Sequence, residues 1–257
     1  MKRIFLLFAP FLILTSAHAQ GQEWKVSKST HFIVYYKNSG EDFINKLTGY
    51  AEDYYNKIAD NLGLTRFNFW LWDNRAKVYV YDDSRDYHVS TKQPQWASGS
   101  THIIQKKIET YPGEEGFFET VLPHEMGHIV FREFVGFNNM AVPMWLDEGV
   151  AMYQERGRGL NANSYLRQAM REGNFMNIFE LSTYNVESST DNKKVEIYYI
   201  ESLSMVVYLI KEFGREKFVL FCQNLRDKQN LERAVAASYN FSNLKELDSA
   251  WQEYIKK

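Results

Sequence analysis

The chain has 257 residues, with 30 Lys and Arg against 32 Asp and Glu, for a formal net charge of −2 at pH 7. No basic surplus or basic–aromatic stripe points to nucleic acid, and a single cysteine, Cys222, excludes an internal disulfide. Hydrophobic residues make up 45% of the chain, so an ordinary core must supply its stability.

The first element is a leader. "MKR" is cationic, "IFLLFAPFLIL" is apolar, and "SAHAQ" places small residues at Ala17 and Ala19. That order predicts a secretory signal peptide over 1–19, cleaved after Ala19. Its apolar run is shorter than the roughly 20 residues that span a bilayer. The expected product is exported to the periplasm or medium, with no stable membrane insertion after cleavage. Residues 20–257 read as one domain, with a mixed α/β lobe to about 136 and a helical lobe from about 137.

"HFIVYY" (31–36) and "AKVYVY" (76–81) are β-branched and aromatic runs that predict strands. Between them, Phe43, Leu47, Tyr50, Tyr54 and Ile58 recur at helical spacing, and Gly63 marks a stop. "FNFWLW" (67–72) is ambiguous and can form a hairpin with 76–81; "SGSTHIIQK" (98–106) predicts a further strand. From 116 onward the pattern turns helical, over 116–135, 144–156, 162–172, 194–213, 215–228 and 243–256. Strands followed by helices predict an α+β fold with a cleft between the lobes.

At that junction stands "VLPHEMGHIVF" (121–131). His124 and His128 are four apart, so both rings leave one helical face and can converge on one ion. Glu125 projects about 100° further round, within reach of a water on that ion. Chance places this pattern in such a composition about 0.01 times per chain. Two imidazoles are not a complete catalytic zinc site, which takes a third protein ligand and an open position. "PMWLDEGVAMYQER" (143–156) offers Asp147 and Glu148 at the start of the next helix, after a loop that lets it return alongside. A metzincin would need Gly at 131 and His at 134, where this chain has Phe131 and Phe134. Cys222 lies in an apolar helix and reads as a core residue.

HEMGH followed by W-L-D-E-G-x-A-x-Y resembles the gluzincin zinc metallopeptidases, and within them the peptidase-MA-like family. Further similar segments stand at Tyr79–Tyr87, Trp96–Ile103 and Tyr199–Gly214. The resemblance implies a zincin-like catalytic domain acting on a peptide or protein substrate. It implies one Zn2+ per chain on His124, His128 and Glu148, with Glu125 as general base. Pro123 departs from the pattern, since it would kink a helix continuing from Phe117. The resemblance also implies a hydroxyl or imidazole donor for the transition state on a later helix. No histidine follows His128, so Tyr198 and Tyr199 are the candidates, and the pattern points to Tyr199.

Metal-bound histidines usually donate their second N–H to a carboxylate, a role open to Glu155 or Asp147. Gly149 suggests close helix approach, and "WASGS" an edge strand able to pair with substrate backbone. His31 and His102 read as structural. A binding module without turnover is the alternative, against which the intact Glu125 argues. A structural zinc site would need a fourth protein ligand.

Overall fold

The computed structural model describes residues 23–65, 70–95, 97, 99–113, 116–155, 161–186 and 188–257. The expected leader lies outside them, as do Trp96 and Ser98. The fold is α+β, a five-stranded sheet followed by a helical half, as expected of a zincin-like peptidase domain. The strands are β1 (Lys25–Lys28), β2 (Phe32–Tyr36), β3 (Ala76–Val80), β4 (Gly99–His102) and β5 (Lys107–Thr110), in the spatial order β1-β2-β3-β5-β4. The three central strands run parallel, and β1 and β4 pair antiparallel at the two edges. Parallel neighbours need crossovers. Helix α1 (Glu41–Asn61) supplies the first, and a longer segment containing α2 (Ser84–Thr91) supplies the second.

Alternation sets the faces of the sheet. Phe32, Val34, Ala76, Val78, Val80 and Ile108 point into the core, while Tyr35 and Tyr79 stack on the other face with centroids 4.6 Å apart. Helix α1 covers the inner face with Ile44, Leu47, Ala51, Tyr54, Tyr55 and Ile58. This buried cluster continues without a break into the helical half, as far as Trp251 and Ile255.

Residues 67–69 of the possible hairpin lie outside the described residues; among the described ones, 72–74 form a single 3-10 turn, and β3 pairs with β2 and β5. The strand expected over 98–106 stops at His102. A turn with Lys106 in the left-handed region (φ 50°) sends the chain back as β5, making a β4–β5 hairpin with β4 outermost.

The helical half comprises α3 (Leu122–Val135), α4 (Met144–Met152), α5 (Ala162–Arg171), α6 (Ile178–Thr183), α7 (Asn192–Phe213), α8 (Arg215–Lys228), α9 (Leu231–Tyr239) and α10 (Leu244–Lys256). A widened π-helical turn over Phe117–Val121 precedes α3. It is braced from α1, since Phe118 stacks on Tyr50 and touches Phe43. Pro123 falls in the first turn of α3 directly after this π turn, so the helical backbone does continue from Phe117 and is widened just ahead of the proline, with Leu122 N–H bonded to Phe117 O.

Helix α4 lies between α3 and α7 at backbone distance. A Cβ on Gly127 of α3 would stand 3.0 Å from Ala151 Cα, and one on Gly149 of α4 would stand 2.2 Å from Ser202 O of α7. The second gap is too small for any side-chain carbon, and backbone cannot move aside as a flexible side chain does. Gly149→Ala should therefore push α4 off α7, destabilise the protein by at least the 1–3 kcal/mol typical of overpacking, and weaken metal binding through Glu148. Thermal melting with and without added zinc checks this; wild-type melting in both states would show that the contact carries no strain.

Candidate metal centre

Three donor atoms meet where α3 faces the start of α4. His124 Nε2 and His128 Nε2 are 3.1 Å apart, and Glu148 Oε2 lies 3.7 and 3.8 Å from them. One donor from each residue fits within 4.8 Å, a group able to hold a metal ion. The i, i+4 spacing on α3 aligns the rings, and Pro143 opens α4 so that Glu148 falls in its second turn, facing them.

The other ring nitrogens explain why the Nε2 atoms face inward. His124 Nδ1 donates to Glu155 Oε1 at 2.8 Å, and His128 Nδ1 donates to Asp147 Oδ1 at 3.0 Å. A carboxylate accepts, so it holds the proton on Nδ1 and leaves Nε2 as a lone-pair donor. Two such lone pairs pointing at each other repel unless a proton on one of them or a metal ion sits between them. Their separation is close to that of two nitrogens each about 2.0–2.1 Å from one zinc. The donor set thus fits a divalent metal with three protein ligands.

Both carboxylates considered for orienting the histidines do so, one for each ring. Glu155 reaches His124 because α4 ends at Met152, earlier than expected, and a tight turn bonding Gln154 N to Ala151 O and Glu155 N to Met152 O brings it back. Sequence reasoning missed Arg132, whose Nε donates to Asp147 Oδ2 at 2.7 Å. It stands four residues after His128 on the same helical face, and that spacing was the available signal.

Charge is concentrated here. Burial alone would raise the Asp147 carboxyl, but its bond to His128 and the charges of His128 and Arg132 hold it below the ordinary range. Burial raises Glu148, and the two imidazoles only partly offset it. For His128 burial would lower the imidazole, yet the Asp147 bond and the surrounding carboxylates, Glu148 and Glu125 among them, push it up to about 9. Glu125 is half-buried on the adjoining face of α3, within electrostatic reach of His128 and Glu148.

The remaining candidates sit on α7 and in the sheet. Tyr198 is wholly buried, and burial, followed by the Glu148 charge, raises its phenol. Tyr199 is half-buried beside it, with ring centroids 5.6 Å apart. His31 is held by Glu52 at 2.6 Å and stacks on Tyr55, and His102 is held by Glu109 at 2.7 Å, so both have structural partners. Cys222 is buried in α8.

A helix-borne histidine pair completed by a glutamate from the next helix is the metal-binding arrangement of a metal-dependent hydrolase. The model of a family described as the peptidase MA superfamily matches residues 72–257, well over half of the chain. The chain belongs to that superfamily. No curated protein matches it significantly.

The His128 shift has a sign that can be measured. Its folded-state value, about 9, lies above the ordinary 6.5, so the imidazolium stabilises the metal-free fold fully below about pH 6.5, and this contribution fades as pH rises through about 9. A metal must displace that proton. Apparent zinc affinity, measured by chelator competition, should rise about tenfold per pH unit between 7 and 9. An affinity flat over that interval would contradict the assigned protonation.

Proposed function

We propose that the chain is an exported zinc-dependent peptidase in which His124, His128 and Glu148 hold the ion and Glu125 is the general base. The observation that carries this reading is the pair of inward-facing Nε2 atoms with Glu148 closing the third side and Glu125 on the adjoining face. Zinc held there would supply a water of lowered pKa and a Lewis acid for the scissile carbonyl. Glu125 would take the water's proton and pass it to the leaving amine, which requires a carboxylate free of metal contact. Its place one residue after His124 keeps it off the ligand face. His124 and His128 are kept in one tautomer by Glu155 and Asp147, so no reorientation is needed at the reacting centre.

A donor for the developing oxyanion must be reachable by substrate. Tyr199 keeps exposed surface and Tyr198 does not, which supports Tyr199 in that role. Tyr198, buried near Glu148, would serve as packing beneath the centre. The antiparallel edge strand β4 offers backbone groups for an extended peptide. Among the described residues no helix is long and apolar enough to cross a membrane. The leader-like residues 1–19 support export.

Two variants test the roles. Glu125→Gln should keep zinc at wild-type stoichiometry and lose peptide hydrolysis, by about 10²–10⁴-fold for a general base. Hydrolysis at the wild-type rate in that variant would end the mechanism. Equal inactivity of wild type and variant on a broad peptide library, with zinc bound by both, would favour the binding-module reading. Tyr199→Phe should lower kcat by about 10²–10³-fold with little change in KM. Tyr198→Phe is the control, and a kcat loss confined to it would move the donor one residue back along α7.

A further inference from the structure

Arg132 joins the centre to the loop between α3 and α4. Its Nε donates to Asp147 Oδ2 at 2.7 Å, and its Nη1 donates to Asn139 O at 3.3 Å. Asn139 is itself pinned: its buried amide donates to Val135 O and Leu225 O, and its Oδ1 accepts from Ala141 N. Asp147 gives its other oxygen, Oδ1, to His128 Nδ1. The result is one continuous chain of bonds from the end of α8, through Asn139, Arg132 and Asp147, to a metal-ligand candidate.

We infer that Arg132 is a positioning residue, setting the plane of the Asp147 carboxylate and through it the direction in which His128 presents Nε2. This rests on the metal centre proposed above. A carboxylate held at one oxygen can still turn about its Cβ–Cγ bond. Held at both, it is fixed, and the imidazole bonded to it is fixed with it. The pair is largely buried, with side-chain exposures of 17% for Arg132 and 10% for Asp147. That sets it apart from the exposed Lys57–Asp53 pair at 62% and 72%, a kind worth little. The adjacent Glu133 pairs instead with Lys106 and Trp70, and neither bond leads to the centre. Of these charged neighbours on α3, only Arg132 has the planar fork needed to reach a carboxylate and a carbonyl at once.

The test is a double-mutant cycle on zinc affinity, measured by chelator competition on the full chain, with melting of each metal-free variant as a folding control. Arg132→Met should weaken zinc binding about tenfold, the lower end for removal of an outer partner of a metal ligand. Asp147→Asn should weaken it at least as much. Adding Arg132→Met to Asp147→Asn should change affinity less than twofold, because Arg132 acts through Asp147. Arg132→Lys keeps the charge and guards against a variant that fails to fold; it should also weaken binding, since an ammonium cannot make both bonds. Zinc affinity unchanged in Arg132→Met and Arg132→Lys, or losses that add in full in the double variant, overturns the positioning role. If wild type takes up no zinc, the metal centre falls and this inference falls with it. If wild type binds zinc and only the Arg132 variants match it, this inference alone is lost.

Discussion

How closely α4 can lie between α3 and α7 decides whether this site exists. The two histidines are fixed on α3 by helical geometry alone, but their third partner comes from another helix. Gly127 and Gly149 remove the side chains that would hold α4 about a side chain's width from its neighbours, and on the α7 side the remaining gap is smaller than any carbon could occupy. That approach brings Glu148 to within 4 Å of both rings. It also brings Asp147 to the Nδ1 of His128. These two close contacts deliver Asp147 and Glu148, and the turn that follows α4 delivers Glu155 to the Nδ1 of His124.

The arrangement is electrostatically expensive without a cation. Glu125, Asp147, Glu148 and Glu155 crowd two imidazoles in a setting from which water is largely withdrawn, and burying charge is unfavourable unless it is paired. Arg132 offsets part of this at Asp147. In the metal-free protein the raised His128 offsets more by holding a proton. A divalent ion would replace that proton with two charges at the point where the lone pairs converge. The buried groups that look destabilising in isolation are the ones a metal would satisfy, as expected where function overrides local stability.

Much of this was legible in the sequence, for identifiable reasons. The histidine pair with Glu125 beside it follows from a spacing hard to reach by chance. Spacing alone leaves Asp147 and Glu148 both open, and the choice of Glu148 as ligand comes from the resemblance to the peptidase-MA-like family. Helices α1, α8 and α10 announce themselves because each buries one face, and α3 and α7, though buried nearly all round, because their apolar residues recur at helical spacing. The misses share a cause, which is weak or masked patterning. Lys106 takes a left-handed conformation without being glycine, so the unbroken run "THIIQKKIET" hid the turn between β4 and β5. Strand β1 is mostly exposed, and α2 buries only Tyr87 and His88. Helix α6 is six residues long, although its capping box from Asn177 to Glu180 was readable. The two roles of Asp147 and Glu155 were seen as competing because a straight helix to 156 was assumed. The early end of α4 gives each its own histidine.

The central claim is that one ion is held by the Nε2 atoms of His124 and His128 and by the Glu148 carboxylate. X-ray absorption at the zinc edge on zinc-loaded protein, combined with anomalous diffraction from its crystals, tests it directly. The account predicts one ion per chain at the α3–α4 junction, with two nitrogens at about 2.0–2.1 Å and carboxylate oxygen at about 2.0–2.2 Å. An ion bound elsewhere, coordination through Nδ1, or a first shell lacking Glu148 would contradict it.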